Sequence, residues 1–299
     1  PARRADVEVC RRGMQEMVAQ FPDCRFPIPD SRLPFLHSWY SLLLRVTFLG
    51  TGTSHGVPMI GCSCDVCRSP DPRDQRLRPS VLIETNDGLR LLVDTTPDLR
   101  QQALRAGLDR VDAILFTHAH ADHVMGLDEV RRFNVLSGRP MPVFASASTQ
   151  VDLRRTFAYV FESDAPKGGG VPDLRLWTIG GPFSIGGLEV TPVPIDHGPW
   201  HILGFRFGAF AYLTDCSRIP DSSWPLLDGV HTVILDALRR RPHSTHFSVD
   251  EALAVVARLG AARAYFTHIS HDLGHADTCA ALPRGVELAY DGQVIEIDQ

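Results

Sequence analysis

The stretch Val111-Asp112-Ala113-Ile114-Leu115-Phe116-Thr117-His118-Ala119-His120-Ala121-Asp122-His123 decides how this chain is read. Its first half is a short apolar run, the size of a buried strand. The strand stops at Thr-His, and a helix is expected to follow at once. Three histidines and one aspartate then fall within six residues. Imidazole nitrogen and carboxylate oxygen are the donors that suit Zn²⁺, Mn²⁺ or Fe²⁺. At a strand-to-helix turn, neighbouring side chains can diverge toward two adjacent metals instead of sharing one. A polar surface loop would explain neither the spacing nor the strand that precedes it.

Working outward, the β/α pattern begins at Arg45. A strand at 45–49 leads into the Gly-rich turn 50–56 and a polar, cysteine-bearing loop to residue 79. Strands at 80–85 and 89–93 form a hairpin across Asn86-Asp87-Gly88, where Asp-Gly suits a tight turn. A helix is expected over 97–107 with Pro97 in its first turn, and a single helix over 121–136. Further strands are read at 142–145, 188–194, 202–207, 209–214, 232–235 and 264–267, with helices at 149–160 and 248–259. Lys167-Gly168-Gly169-Gly170 marks a loop. Residues 1–44, with a short helix around 7–20, read as an N-terminal extension to a hydrolase domain spanning 45–299. Two echoes suggest paired halves. Ile114-Leu115-Phe116-Thr117-His118 is matched by Ala264-Tyr265-Phe266-Thr267-His268, and both Val93-Asp94 and Thr214-Asp215 place an aspartate just past an apolar strand.

Composition narrows the class. A chain of 299 residues, 44% apolar and 22% charged, is ordinary for one large globular domain. A net charge of −5 gives no reason to expect stable nucleic-acid binding. No apolar run approaches the roughly 18 residues of a membrane helix, and the N-terminus lacks the apolar centre of a secretory signal. A cytoplasmic protein without membrane attachment is the expectation. Seven cysteines, three of them in Cys62-Ser63-Cys64-Asp65-Val66-Cys67, then suggest metal more than disulfides. The scattered Cys10, Cys24, Cys216 and Cys279 read as plain thiols.

The run from His118 to His123 resembles the HxHxDH signature of the metallo-β-lactamase superfamily, a four-layer αββα sandwich of the α/β (α+β) class. Other positions fit that resemblance: Asp94 after an early strand, a lone His197, Asp215 ending a later strand, and His268 ending a strand near the C-terminus. The resemblance implies two divalent metals, Zn or Mn with Fe as an alternative. His118, His120 and His197 would hold the first, and Asp122, His123 and His268 the second. Asp215 would bridge them and Asp94 would orient a ligand histidine. It also implies hydrolysis by a hydroxide bridging the metals.

More narrowly, the Gly-Thr-Gly opening at 50–52, the CxCxxC loop and Thr267-His268-Ile269-Ser270-His271 are similar to the PhnP phosphodiesterase family of the carbon–phosphorus lyase pathway. That likeness implies a structural zinc on Cys62, Cys64, Cys67 and His271. It also implies a proton donor at His246, with His243 as local rival, so that Asp122 and His246 are read as the catalytic pair. A small or cyclic phosphodiester is the implied substrate, and His55 and Arg241 are candidate substrate contacts. Arg68, Arg73, Arg76, Arg78, Arg239 and Arg240 read mostly as solvated; His37, His201, His231 and His275 are assigned no role. The assembly could be a homodimer. Rival readings on the same metals are a tRNA-processing endonuclease and a thioester, lactam or lactone hydrolase. A rival of another class is a non-catalytic relative like PqqB of quinone-cofactor biosynthesis.

Overall fold

Alternation along single strands shows how the layers form. In Ser80–Thr85, Val81 and Ile83 face one way and Leu82 the other. In Phe210–Leu213, Phe210 and Tyr212 face one way, Ala211 and Leu213 the other. Both faces are apolar in each case, so each sheet must be covered on both sides. The computed structural model, which describes residues 43–162 and 170–298, meets this requirement with two seven-stranded mixed sheets. The first contains β1 (Leu43–Gly50), β2 (Ser80–Thr85), β3 (Arg90–Val93), β4 (Ala113–Leu115), β5 (Met141–Ala145) and β6 (Leu174–Thr178). The second contains β7 (Phe183–Ile185), β8 (Leu188–His197), β9 (Trp200–Phe207), β10 (Phe210–Leu213), β11 (Thr232–Asp236), β12 (Arg263–Thr267) and β13 (Val286–Leu288). The last strand, β14 (Val294–Asp298), returns to the edge of the first sheet beside β1.

Val46, Phe48, Ile83, Phe205, Phe207, Tyr212 and Ile234 fill the layer between the sheets. Outside the first sheet pack α1 (Leu99–Ala106), α2 (Ala121–Val124), α3 (Val130–Ser137), α4 (Ala147–Thr156) and α5 (Ala158–Phe161), through Leu99, Val130, Phe133 and Leu153. Outside the second lies α6 (Val249–Leu259), through Val249, Ala252, Val255 and Val256, followed by α7 (His275–Ala281). Helix α6 has a capping box. Ser248 accepts from the Glu251 amide while the Glu251 carboxylate accepts from the Ser248 amide, and Gly260 closes the helix with φ 64°. The four layers are those of the expected αββα sandwich. No helix of the described residues is long and apolar enough to cross a membrane.

Several boundaries differ from the sequence expectation. The first strand begins at Leu43, because Leu43 and Leu44 pair with Asp298 and Ile297 at the far end of the chain. Pro97 precedes the α1 N-cap Asp98 and lies outside the helix. The single helix expected over 121–136 is broken around Gly126. A side chain there would meet the Thr96 carbonyl at 1.9 Å, so the chain must turn tightly over the loop that follows β3. The helix over 149–160 is interrupted at Phe157. Residue 170 apart, the Lys167–Gly170 loop lies outside the described residues, as does the helix around 7–20.

Candidate metal centre

Strands β3, β4 and β5 run parallel, as do β10, β11 and β12, and chemistry collects where they end. Asp94 follows β3, the run from His118 to His123 follows β4, Asp215 follows β10, Asp236 closes β11 and His268 follows β12. Asp94, Asp215 and His268 have φ of 64°, 56° and 57°, the only non-glycine residues with positive φ among those described. Each such left-handed residue costs on the order of 1–3 kcal/mol. That three of them sit at strand ends around one cluster shows packing holding side chains against local preference.

Hydrogen bonds fix which imidazole nitrogen faces inward. Asp94 accepts from the Thr117 amide (2.9 Å) and hydroxyl (2.8 Å), and from His123 Nδ1 (2.7 Å). Since the Thr117 proton goes to Asp94, its oxygen accepts from His118 Nδ1 at 3.0 Å. His197 Nδ1 donates to the Thr245 carbonyl at 2.7 Å. Each Nδ1 is therefore the protonated nitrogen, and each Nε2 lone pair points into the site.

The donor atoms form two sets. His118, His120 and His197 bring theirs within 4.8 Å of one another, as do Asp122, His123, Asp215 and His268. Nε2 of His118, His123 and His268 are buried with no hydrogen-bond partner. His123 Nε2 and His268 Nε2 each lie 3.1 Å from a different Asp215 oxygen. Buried lone pairs beside carboxylate oxygens are costly unless a cation lies between, so the residues fit divalent metals. The electrostatics agree. Burial, then the neighbouring His123, holds His118 well below the usual imidazole range; burial takes His197 down to about 4. Burial opposes charge on His123 too, but Asp215, Asp122 and Asp94 outweigh it and push that imidazole well up. A proton there occupies the place a cation would.

Beside this cluster, His246 Nδ1 lies 2.7 Å from Asp236 Oδ2. Its ring is 4.5 Å from His268 and 4.6 Å from His197. Burial pushes the Asp236 carboxyl well up and the His246 imidazole down. A neutral pair with one proton between Oδ2 and Nδ1 leaves His246 Nε2–H as a donor to the site. Asp236 was not singled out from the sequence, although Val233-Ile234-Leu235-Asp236 repeats the strand-then-aspartate pattern of Asp94 and Asp215. Next to His246 opens a cavity of about 270 Å³, lined among others by His55, Met59, Arg239, His243 and Asp272. Arg239 is among the lining residues, its guanidinium donating to the Arg241 and Pro242 carbonyls, while exposed Arg241 lies 3.6 Å from the lining residue Asp272.

The cysteine loop closes on the other side of that cavity. His271 Nδ1 lies 3.2, 3.4 and 3.6 Å from Sγ of Cys62, Cys64 and Cys67. Amides of Cys67 and Met59 donate to Cys64 and Cys67 sulfur. The Cys67 N–H bond leads in lowering the Cys64 thiol to about 7, whereas burial raises Cys67 to about 11. Three sulfurs and one nitrogen form the donor set of a closed tetrahedral zinc. Arg76, expected to be solvated, is fully buried. It donates to the Ser270 and Leu273 carbonyls and pairs with Asp74 at 2.8 Å, fastening the loop to the segment that carries His271. Arg73 and Arg78 pair with Asp71 and Asp98. His201 pairs with Asp196, and His275 packs against Tyr290.

A four-layer sandwich with this cluster at its strand ends defines a metal-binding hydrolase, and the β-lactamase superfamily domain matches residues 89–269, so the chain belongs to that superfamily. Within it, the chain is similar to a solved structure described as a new diphosphatase from the PhnP family. The two share 45% of residues with a TM-score of 0.80, over 86% of this chain and 98% of that one, which supports the narrower PhnP-like resemblance. An octanoyltransferase of Porphyromonas gingivalis is 38% identical over 260 residues, covering 86% of this chain; the chain spans only 52% of that protein. Coenzyme PQQ synthesis protein B of Rhodopseudomonas palustris is 26% identical over 282 residues, covering 77% of this chain and 90% of that protein.

Proposed function

We propose that the chain hydrolyses a small or cyclic phosphodiester. The observation that carries this reading is the buried Asp236–His246 pair, set against His197 and His268 at the mouth of a cavity bearing Arg239 and His243. His118, His120 and His197 would hold one divalent cation, and Asp122, His123 and His268 a second, with Asp215 shared. Such a pair supplies a nucleophile at neutral pH by lowering the pKa of bound water, and offsets charge on phosphoryl oxygens. His246 Nε2–H passes its proton to the departing ester oxygen while the proton shared with Asp236 settles on Nδ1, so the imidazole stays neutral; the thiolate of a thioester leaves without such help. Asp236 keeps that imidazole oriented. Arg239, His243 and His55 face the anionic end of the substrate. Cys62, Cys64, Cys67 and His271 would hold a structural zinc, and such unpaired, gathered thiols suit the cytoplasm.

The diphosphatase described for the 45% identical structure favours a second reading, cleavage of a phosphoanhydride on the same residues. Metal-reconstituted protein should be assayed with bis-p-nitrophenyl phosphate, a 2′,3′-cyclic nucleotide, a diphosphate diester, a lactone and an acyl thioester. Turnover of the phosphodiesters well above the rest is the expected result. Preference for the diphosphate would favour the second reading, and turnover confined to the thioester or lactone would contradict both.

A further inference from the structure

Trp200 stands at the rim of the metal centre and has no part in the chemistry above. It opens β9, and its Cα partner across the β8–β9 hairpin is His197. Gly198, with φ 59°, is the first of two turn residues, the position a type II′ hairpin turn reserves for glycine. Directly paired residues present their side chains on the same face, so the indole follows His197 toward the site. The opposite face of the hairpin is fixed by buried Asp196, which accepts from His201 Nδ1 and Arg218 Nε, each at 2.7 Å. Trp200 is thus held on a rigid support.

Its ring lies edge-on to His120, 5.2 Å between centroids at 84°, and 5.6 Å from His197. Even so, 52% of the residue is exposed. Each of the other described tryptophans carries an arginine over its ring, although Trp177 is itself 41% exposed. Arg175 lies over Trp177, which also stacks on Phe144, and Arg258 lies over Trp224. The rings of Trp200, His197, His246 and His243 follow one another at 5.6, 4.6 and 5.3 Å. His246 and the indole therefore flank His197. A phosphoryl group bound at His197 meets the proton donor on one side and the half-exposed indole on the other.

We infer that Trp200 is the stacking platform for a flat aromatic group, a nucleobase or another aryl ring, carried beside the phosphoryl group of the substrate. This rests on the phosphoester reading and narrows it to aromatic-bearing substrates. Stacking on an aromatic side chain tolerates any base, because every base has a π-face, and changes affinity by roughly 5- to 150-fold.

The test uses the full-length, metal-loaded chain and product-like ligands: AMP against ribose 5-phosphate, and phenyl phosphate against methyl phosphate. Inhibition constants should favour the aromatic member of each pair by roughly tenfold. A preference in the AMP pair alone points to a nucleobase, and in both pairs to aryl groups generally. Trp200→Ala should bring the ratio to about one, and Trp200→Phe should keep most of it. AMP should also quench tryptophan emission in the native protein and much less in Trp200→Phe, a readout independent of turnover and of whether Trp200→Ala folds. Equal weakening of both members by Trp200→Ala would mean the indole merely walls the metal centre, and would overturn the proposal. So would a preference that survives in Trp200→Ala, or none in the native protein. Failure of the phosphodiesterase reading looks different: the binding preference would stand while no phosphodiester is turned over.

Discussion

Asp94 links three groups through one carboxylate: the Thr117 amide, the Thr117 hydroxyl and His123 Nδ1. Through the hydroxyl it also sets the tautomer of His118. In Asp94→Asn an amide nitrogen can face His123 Nδ1–H, and the two donors repel. The proton then shifts to Nε2 and removes the lone pair the site needs. Metal affinity should fall about 10- to 100-fold, read by competition with a chromophoric chelator; unchanged affinity would show that Asp94 does not set the tautomer. A surface carboxylate gives a cleaner pH test. Arg73 holds Asp71 down from 3.8 to about 2, chiefly by its side-chain hydrogen bond. Because the folded value is depressed, the stabilisation is complete above the unfolded value and lost as pH falls through about 2. The stability gap between the native chain and Asp71→Asn should therefore be constant above pH ~4.5 and vanish near pH ~1.5 in urea titrations. A gap independent of pH over that window would contradict the assignment. At this scale the sequence was highly legible: His118, His120, Asp122, His123, His197, Asp215 and His268 converge, and each is marked by following or ending an apolar strand. Asp236 carried the same mark and was passed over. Trp200 carried none, because its importance depends on a cross-strand partner and on exposure.

Among elements, the cysteine loop owes its position to Arg76 as much as to its thiols. Its guanidinium is fully buried against Asp74, Ser270 and Leu273. Arg76→Ala leaves a carboxylate and two carbonyls without that donor in the interior, and should cost about 3–5 kcal/mol by denaturant unfolding. The same variant should release the structural zinc to a chelator faster than the native chain does. A loss under about 1 kcal/mol would mean the loop is held by the knuckle alone. Ser248→Ala, which breaks the α6 capping box, should cost about 1 kcal/mol in the same assay. Arginine in a polar loop looks solvated in sequence, and only the approach of residues 270–273, nearly two hundred positions away, changes that. The misplaced helix ends have a similar cause. At Gly126 the helical pattern is interrupted, its amide donating to the Thr95 carbonyl while the Thr96 carbonyl leaves no room for a side chain, contacts no local period reveals.

At the scale of the molecule, the two sheets each bring parallel strands to one edge, and the cluster draws on both: β3 and β4 from one, β8, β10, β11 and β12 from the other. The echo between 114–118 and 264–268 is the sequence trace of that arrangement, with β4 and β12 both interior strands of their sheets and each leading into Thr-His. Edge strands were harder to read. Strands β6, β7, β13 and β14 are short or carry exposed residues, so their apolar signal is thin, and β14 is identified as sheet only by pairing with β1. Two sheets meeting at one cation-binding cluster is the central claim, and metal content tests it most directly. Elemental analysis of the purified, metal-reconstituted chain should give roughly three divalent ions, with about one left after Asp215→Ala and about two after Cys64→Ser. One ion or fewer in the native chain, or an Asp215→Ala variant that still holds three, would contradict it.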